Sequence, residues 1–256
     1  MIRPIEALLN LLWPRGANCL VCGDPRRADP ETGVCPACME ELERERVPAT
    51  ACHRCLSNTY HSRGCPFCAG GGMKGLDQAF APLRYRPASR KLTMSVKFHA
   101  TNEAVPLLSR WMSESLWDRS FDCIIPVPLH PDRLRERGAN QAALLAQGVS
   151  ERTGIPVRLD ILERVRYTQP QTSLDRKKRA GNVRGAFKCK AGTDLNGKRV
   201  LIVDDVRTSG ATARACAQAL RDAGCTGVCL LTACCTSGGN RRMRGKAART
   251  FINQSK

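Results

Sequence analysis

The sequence predicts an α/β domain with a parallel sheet covered by helices, preceded by a small cysteine-rich module. In the C-terminal part of the chain, short apolar runs typical of buried parallel strands alternate with amphipathic helical patterns. In the N-terminal part, four C-x-x-C pairs occur before residue 70 among turn-forming glycines and prolines. The glycine-rich segment AGGGMKG, residues 69–75, lies between the two parts and indicates a domain boundary.

The periodicity of apolar residues predicts the elements of the larger domain. We expect strands over residues 79–85, 121–127, 155–162, 199–206 and 227–233. We expect helices over residues 103–116, 140–152 and 211–223, with Gly224 ending the last of them. In the second helix, the pattern places Ala143, Leu144 and Val149 on one side. Because strands and helices alternate, βαβ units should assemble a parallel sheet.

The charge of the chain favours a polyanionic partner. The 256 residues include 41 Lys plus Arg and 23 Asp plus Glu, which gives a formal net charge of +18. A hydrophobic content of 42% is too high for a mainly disordered protein. Nucleic acid, acidic lipid and phosphorylated metabolites all fit this charge, and good solubility alone would also account for it.

The two ends of the chain predict an N-terminal amphipathic helix over residues 1–18 and a disordered basic tail over residues 237–256. The apolar stretch from Ile5 to Trp13 is interrupted by polar residues and is far shorter than the roughly 20 residues needed to cross a bilayer. It has neither the basic start nor the cleavage site of a signal peptide. The tail carries six basic residues and no acid. We therefore expect a cytoplasmic protein without a transmembrane segment.

The eight N-terminal cysteines have the spacing of metal ligands. Two residues between cysteines let both thiolates point at one ion, and two such pairs complete the tetrahedral all-sulfur site that suits zinc. We expect a double zinc ribbon over residues 19–70 that holds two structural zinc ions, with sequential pairing favoured over an interleaved cross-brace. Redox chemistry is the alternative, but a redox C-x-x-C motif normally occurs once. The predicted ligands are Cys19, Cys22, Cys35, Cys38, Cys52, Cys55, Cys65 and Cys68.

The seven other cysteines show no such pairing. They lie mostly in apolar runs after residue 120. In a reducing compartment a free cysteine behaves as a small hydrophobe. We therefore expect these seven thiols to be buried.

The segment VLIVDDVRTSGAT, Val200 to Thr212, predicts a site for a ribose phosphate. Four apolar residues bring a strand to the carboxyl edge of the sheet, where open α/β folds bind ligands. Small and hydroxylated residues then open a helix, whose first N–H groups and dipole favour a phosphate. The two acids can hold sugar hydroxyls or a magnesium ion, although an ordinary strand–turn–helix with capping acids is the alternative. The predicted binding residues are Asp204, Asp205, Thr208, Ser209, Gly210, Ala211 and Thr212.

This 13-residue stretch resembles the signature of the type I phosphoribosyltransferases, which bind phosphoribosyl pyrophosphate (PRPP) with magnesium. Together with residues 124–142 and 163–187, behind the cysteine pairs, it resembles the ComF family up to about residue 236. The resemblance implies a type I phosphoribosyltransferase-like parallel sheet flanked by helices over residues 76–236, preceded by the zinc module. It also implies Mg2+ with PRPP and a link to DNA uptake in natural transformation. The chain departs from the family pattern at Ala139, which replaces an aromatic residue, and at Ser209, which replaces a threonine.

Basic segments surround the predicted site. Residues 163–190 carry nine basic and two acidic residues and form a basic loop from Arg164 to about Arg184. The resemblance implies that this segment is a flap that closes over PRPP. Arg176 and Lys177 are the candidate flap residues that would stabilise the charged PRPP. A track for single-stranded DNA and a solvated loop are the alternatives. By the same resemblance, Lys97 and the turn that carries Arg133 and Arg137 are candidates for pyrophosphate binding.

Three functions remain open from the sequence. The first is a phosphoribosyltransferase that moves the phosphoribosyl group of PRPP to an acceptor and releases pyrophosphate. The second is a non-catalytic PRPP sensor that binds single-stranded DNA. In a separate interpretation, the zinc module is a docking surface for a protein partner such as a component of the DNA-uptake machinery. The third is a nucleobase phosphoribosyltransferase of nucleotide salvage. Phosphoribosyltransferases that act on a particular nucleobase have a hood segment, and here the cysteine pairs occupy its place. The sequence is therefore compatible with both an enzyme and a non-catalytic protein.

Overall fold

The computed structural model confirms the predicted parallel sheet flanked by helices. It describes residues 18–25, 28–58, 64–98, 102–116, 120–166, 183 and 185–237. The strands in this part of the chain are β1 (Ala79–Phe80), β2 (Leu83–Arg84), β3 (Cys123–Pro126), β4 (Leu162–Arg164), β5 (Phe187–Cys189), β6 (Arg199–Arg207) and β7 (Gly227–Cys235). The helices there are α1 (Pro36–Arg44), α2 (Pro66–Ala69), α3 (Pro87–Phe98), α4 (Ala104–Glu114), α5 (Pro131–Arg137), α6 (Gln141–Thr153) and α7 (Ala211–Asp222).

Three predictions fall outside the described residues. They are the amphipathic helix, of which residues 1–17 are not described, the flap residues Arg176 and Lys177, and the tail after Ser237. These stay predictions from the sequence.

The sheet has β6 and β7 at its centre, as their apolar sequences predict. All its strands are parallel, in the order β1–β7–β6–β3, and β2 pairs with β7 beyond the end of β1. Every residue of β7 is buried, and so are residues 200–203 of β6. Two central strands buried on both faces explain why their sequences are nearly continuous apolar runs rather than alternating patterns.

The predicted strand over residues 155–162 is wrong. Val157 forms a single bridge with Ile124 of β3, and the next regular strand, β4, begins only at Leu162 and pairs antiparallel with β5. The apolar residues of this segment do not share a buried face, since Leu159 is 65% exposed. The predicted strand over residues 79–85 is also interrupted, because Pro82 between β1 and β2 has no N–H to donate to a ladder.

Helix α3 was not predicted, although its signal is present in the sequence. Ala88, Leu92 and Val96 follow one another at intervals of four residues, and all three are buried. The helix begins where the carboxylate of Glu45 accepts hydrogen bonds from the N–H groups of Ala88, at 3.1 Å, and Ser89, at 2.7 Å. A distant residue thus caps this helix, which local sequence patterns do not reveal.

The predicted face of α6 is partly wrong. Val149 is buried as expected, but Ala143 and Leu144 are only half-buried. The buried apolar residues are Ala142, Leu145, Ala146 and Val149, which have the spacing of one helix face. Helix α6 packs against both α4 and the sheet, so its contact face is wider than the sequence pattern indicates.

The cysteine-rich segment packs onto the sheet domain rather than standing apart from it. Cys19, Cys35 and Cys38 belong to a hydrophobic core that includes Leu201 and Leu231 of the sheet. Cys55 and Phe67 belong to a second core that includes Ile202 and Leu230. Because neighbouring residues of a strand point to opposite faces, the two cysteine groups lie on opposite faces of the sheet. The boundaries 19–70 and 76–236 stay predictions.

Candidate substrate site and metal centres

The two aspartates lie where β6 reaches the carboxyl edge of the sheet. Asp204 pairs in register with Thr232 of β7. The Oδ1 atom of Asp204 accepts a hydrogen bond from the N–H of Asp205 at 2.9 Å, and Oδ1 of Asp205 accepts one from the N–H of Val206 at 2.7 Å. Each carboxylate is therefore oriented by the backbone that follows it, and both are half-buried at the sheet edge.

The loop after β6 leads directly into the N-terminus of α7. Gly210 is the residue before the helix and has a left-handed backbone, with φ of +71°, which glycine adopts without a steric penalty. The Oγ atom of Ser209 accepts a hydrogen bond from the N–H of Ala211 at 3.4 Å. The first N–H groups of α7 thus face the same edge as the aspartates, which is the arrangement that binds anions.

A cleft opens between this loop and the sheet. Its walls include Asp204 and four residues of the predicted loop, Thr208, Gly210, Ala211 and Thr212. Arg207, Leu230 and Thr232 are among the other residues that line it. Asp205 and Ser209 do not line the cleft. The structure therefore brings five of the seven predicted PRPP-binding residues around one opening.

Basic side chains lie on the β3 side of the same edge. The segment that carries Arg133 and Arg137 is the short helix α5 rather than the predicted turn. His130 caps this helix, and Pro131 fits its first turn because the N–H that proline lacks would have no helical partner there. Lys97 lies in the last turn of α3, and its side chain is outside the described part of the structure.

Arg164 of β4 joins this basic group, and the sequence did not single it out as a site residue. Burial lowers the pKa of its guanidinium, and the nearby charges of Arg133 and Arg137 lower it further. The carboxylate of Asp204 acts in the opposite direction on the same pKa. The guanidinium also lies 5.4 Å from the centre of the Phe187 ring. No local motif marks Arg164, because its position depends on the pairing of β4 with β5.

The eight N-terminal cysteines form two groups of four, paired sequentially along the chain as favoured above. We call Cys19, Cys22, Cys35 and Cys38 the first quartet, and Cys52, Cys55, Cys65 and Cys68 the second quartet. Within each quartet all four sulfur atoms lie within 4.8 Å of one another. The second C-x-x-C pair of each quartet opens a helix, α1 or α2, with proline at its first position.

The sulfur positions fit a tetrahedral zinc site. The Sγ–Sγ distance is 3.8 Å between Cys22 and Cys35 and 3.4 Å between Cys55 and Cys65. Zinc–sulfur bonds of about 2.3 Å in a tetrahedron require sulfur atoms about 3.8 Å apart. An all-sulfur donor set also matches zinc better than magnesium or calcium.

The environment of each quartet favours thiolate at one cysteine. Burial raises the pKa of the Cys19 thiol, but backbone N–H donors, led by that of Cys22, outweigh it and lower the pKa to about 6. Backbone donors led by Cys55 lower the pKa of Cys52 to about 7 against the same effect of burial. Burial raises the pKa of Cys38 and Cys68. A bound cation would therefore be needed to keep all four thiols of a quartet ionised.

The cysteines outside the quartets have the burial that was predicted. Six of the seven are buried and Cys189 is half-buried. The most deeply buried include Cys216, Cys234 and Cys235, each with no exposed surface.

Comparison with known protein families identifies the type of domain that contains this site. Residues 136–254 match the family described as "Phosphoribosyl transferase domain". This match contains β6, the loop after it and α7. The chain therefore carries a domain of the phosphoribosyltransferase type.

Relatives of known name indicate to which family of phosphoribosyltransferase-like proteins the chain belongs. The chain is 39% identical over 40% of its length to competence protein F of Haemophilus influenzae, of which the match covers 45%. It is 27% identical to competence protein ComFC of Streptococcus pneumoniae, over 81% of this chain and 94% of the relative. It is 30% identical to DNA utilization protein YhgH of Shigella flexneri, over 79% of this chain and 83% of the relative. The chain belongs to the ComF family of phosphoribosyltransferase-like proteins.

Among solved structures, the chain overlaps a glutamine PRPP amidotransferase from B. subtilis in complex with ADP and GMP. The overlap has a TM-score of 0.37 and 24% identity, and it covers 54% of this chain and 30% of that chain. In the described part of the chain, no helix is long and apolar enough to span a membrane.

Proposed function

We propose that this ComF-family chain binds PRPP with Mg2+ at the carboxyl end of β6 and acts in the handling of DNA taken up by the cell. The observation that carries the PRPP site is the cleft that Asp204 shares with the loop before α7. The names of the relatives, which refer to competence and DNA utilization, support the link to DNA.

Each part of the site has a role in binding PRPP. The N–H groups of residues 208–212 would hold the 5-phosphate at the helix N-terminus. Asp204 and Asp205 would hold the ribose hydroxyls and the Mg2+ that accompanies PRPP, since carboxylate oxygens are the ligands that Mg2+ prefers. The basic group of Arg133, Arg137 and Arg164 would face the pyrophosphate.

If the chain is an enzyme, these residues stabilise a leaving group rather than form a covalent bond. The bond between C1 of the ribose and the pyrophosphate oxygen breaks, and the pyrophosphate leaves with the electron pair. A nucleophilic atom of the acceptor forms the new bond to C1 and releases its proton to the solvent. Cations fixed beside the departing oxygens lower the energy of the transition state. The flap with Arg176 and Lys177 would exclude water, which otherwise competes with the acceptor.

A screen for pyrophosphate release distinguishes an enzyme from a sensor. The protein, with PRPP and Mg2+, is incubated with nucleobases and with oligonucleotides as acceptors. Turnover with a nucleobase would indicate a salvage enzyme, and turnover with an oligonucleotide would indicate a nucleic-acid phosphoribosyltransferase. PRPP binding without release in any mixture would indicate the PRPP sensor.

The cysteine quartets are proposed to hold two structural zinc ions. The all-sulfur donor sets and the sulfur–sulfur distances near 3.8 Å support this assignment. We also place the protein in the cytoplasm, because its many free cysteines suit a reducing compartment.

Replacing Arg164 with glutamine should weaken the binding of PRPP more than that of ribose 5-phosphate, which lacks the pyrophosphate. A hydrogen bond to a charged group contributes roughly 1.5–3 kcal/mol, so we expect the Kd for PRPP to rise about tenfold or more. Arg152→Gln, at an exposed position in the last turn of α6, is the matched control. Equal losses for both ligands would contradict a pyrophosphate role for Arg164.

The net charge of +18 should produce salt-sensitive binding of single-stranded DNA with little sequence preference. We expect the logarithm of the association constant to fall with the logarithm of salt concentration, with a slope of about −0.7 per phosphate neutralised. Fluorescence anisotropy of a labelled oligonucleotide at several salt concentrations measures this slope. A complex that is insensitive to salt, or no complex at low salt, would remove DNA binding from the proposal.

Two variants locate the DNA surface. Truncation after Thr236 removes the tail, and the pair Arg176→Glu and Lys177→Glu reverses charge in the predicted flap. If the flap contacts both ligands, the pair should weaken oligonucleotide and PRPP binding, and PRPP with Mg2+ should compete with the oligonucleotide. If the tail alone binds DNA, truncation should abolish oligonucleotide binding and leave PRPP binding intact.

A further inference from the structure

Two arginines are buried on either side of β7 near the carboxyl end of the sheet. Arg84 of β2 and Arg207 of β6 both pair in register with Cys235 of β7, one from each side. Arg84 is 5% exposed and Arg207 is 3% exposed. Because guanidinium groups are almost never fully buried without a partner charge, this pair requires an explanation.

The side chains of both arginines contact the segment of the second quartet. Nη2 of Arg207 donates a hydrogen bond to the carbonyl of Cys55 at 2.7 Å, and its guanidinium lies 5.7 Å from the centre of the Phe67 ring. Nη1 of Arg84 donates to the carbonyl of Leu56 and approaches Sγ of Cys235 at 3.5 Å. All of these partners are formally neutral.

Among the described residues, no carboxylate lies within ion-pair distance of the guanidinium of Arg84 or Arg207. Three of their nitrogen atoms, Nη2 of Arg84 and both Nε and Nη1 of Arg207, are buried without a hydrogen-bond partner. A buried charge is costly unless an opposite charge lies nearby. A zinc ion with four thiolates carries a net charge of −2, which would balance two guanidinium groups.

The same segment holds the loop of the proposed PRPP site. Arg207 directly precedes Thr208, the first residue of this loop. Nη1 of Arg214 in α7 donates to the carbonyl of Ser209 at 2.9 Å and to that of Gly72 at 3.1 Å. Gly72 packs so closely on Phe67 that an added Cβ would lie 2.3 Å from the ring. The loop is thus attached to the second-quartet segment on both of its sides.

In the part of the chain that the structure describes, the segment of the first quartet contacts the backbone of Arg84 rather than its guanidinium, since the N–H of Arg84 donates to the carbonyl of Glu45 at 2.7 Å. The cysteines of this quartet belong to the core on the other face of the sheet. The helix that follows it, α1, leads to Glu45, which caps α3. The two quartets should therefore differ in their effect on the PRPP site.

We propose that Arg84 and Arg207 are positioning residues whose charge is balanced by the metal-loaded second quartet, so that this metal sets the geometry of the PRPP loop. This inference rests on the proposed function. It adds that the metal of the second quartet affects the PRPP loop and that the metal of the first quartet does not. Because coupling between two sites is reciprocal, weakening either arginine should also weaken metal binding at the second quartet.

The first experiment measures zinc alone and does not depend on PRPP. Arg207→Gln and Arg84→Gln are introduced in the background of Cys19→Ser, which leaves the second quartet, and of Cys52→Ser, which leaves the first. By chelator competition, we expect zinc affinity to fall about tenfold or more at the second quartet and less than twofold at the first. Arg221→Gln, a partly buried arginine in α7 with Asp77 as its carboxylate partner, is the control for general destabilisation.

The second experiment measures PRPP binding by calorimetry in variants that retain the other zinc. Cys52→Ser should raise the Kd for PRPP about tenfold or more, and Cys19→Ser should change it less than twofold. Arg207→Lys retains the charge in a smaller group, so its Kd for PRPP should lie between that of the wild type and that of Arg207→Gln. The lysine variant keeps the test valid if the glutamine variant does not fold.

The outcomes separate this inference from the proposed function. Unchanged zinc affinity at the second quartet in both arginine variants would overturn the inference, whatever PRPP does. Equal effects of Cys19→Ser and Cys52→Ser on PRPP binding would also overturn it. Failure of the zinc-loaded wild-type protein to bind PRPP would instead refute the proposed function, and the zinc measurements would still decide the pairing of the arginines with the second quartet.

Discussion

PRPP binding should fall at least about tenfold when Asp204 and Asp205 are both replaced by asparagine. Asparagine keeps the shape of each side chain but removes the negative charge that would hold the ribose hydroxyls and Mg2+. A single charge-assisted hydrogen bond is worth roughly 1.5–3 kcal/mol, and 1.4 kcal/mol is a factor of about ten in affinity. Isothermal titration calorimetry with PRPP and Mg2+ measures this change.

The control for this prediction is Asp222→Asn. Asp222 ends the same helix, α7, at the end distant from the cleft, and it is exposed. This variant should bind PRPP like the wild type. A double variant at Asp204 and Asp205 that binds PRPP as tightly as wild type would show that the site lies elsewhere.

The purified protein should contain about two zinc ions per chain when no chelator is used. Cys19→Ser and Cys52→Ser should each lose about one of them, because each removes one ligand from a different quartet. Structural zinc contributes roughly 10–16 kcal/mol of apparent binding free energy in small zinc-finger peptides. Even a loss of about 4 kcal/mol lowers the midpoint of thermal unfolding by about 10 °C in a domain of this size.

Elemental analysis and thermal unfolding test this prediction together. Cys189→Ser is the matched control, because Cys189 lies outside the quartets and its Sγ contacts the carbonyl of Ala219, to which a serine hydroxyl can also donate. This variant should keep both zinc ions. Metal content near zero in the wild type, or two zinc ions in both quartet variants, would contradict the assignment.

The parts of the protein that the sequence predicts well are those with local signals. The strand, the acids and the loop over residues 200–212 form one continuous segment, and the structure joins them into β6, the cleft and α7. The C-x-x-C pairs likewise carry their own spacing, so their grouping into two quartets follows from order along the chain. The central strands are predicted because burial on both faces makes their sequences continuously apolar.

The features that the sequence does not reveal depend on contacts between distant segments. Arg164 pairs with Phe187, 23 positions along the chain, and the charges of Arg133, Arg137 and Asp204 act on its pKa although all three are distant in sequence. The contact of Arg207 with the carbonyl of Cys55 joins residues that are 152 positions apart. The incorrect strand over residues 155–162 has a related cause, because no segment in the described part of the chain buries Leu159, which is 65% exposed.

Calorimetric titration of the zinc-loaded wild-type protein with PRPP, in the presence and absence of Mg2+, tests the central claim most directly. We predict saturable binding of one PRPP per chain that is strengthened by Mg2+ and lost in the double variant at Asp204 and Asp205. Absence of binding at millimolar PRPP in a folded protein with both zinc ions would contradict the claim that the carboxyl end of β6 is a PRPP site.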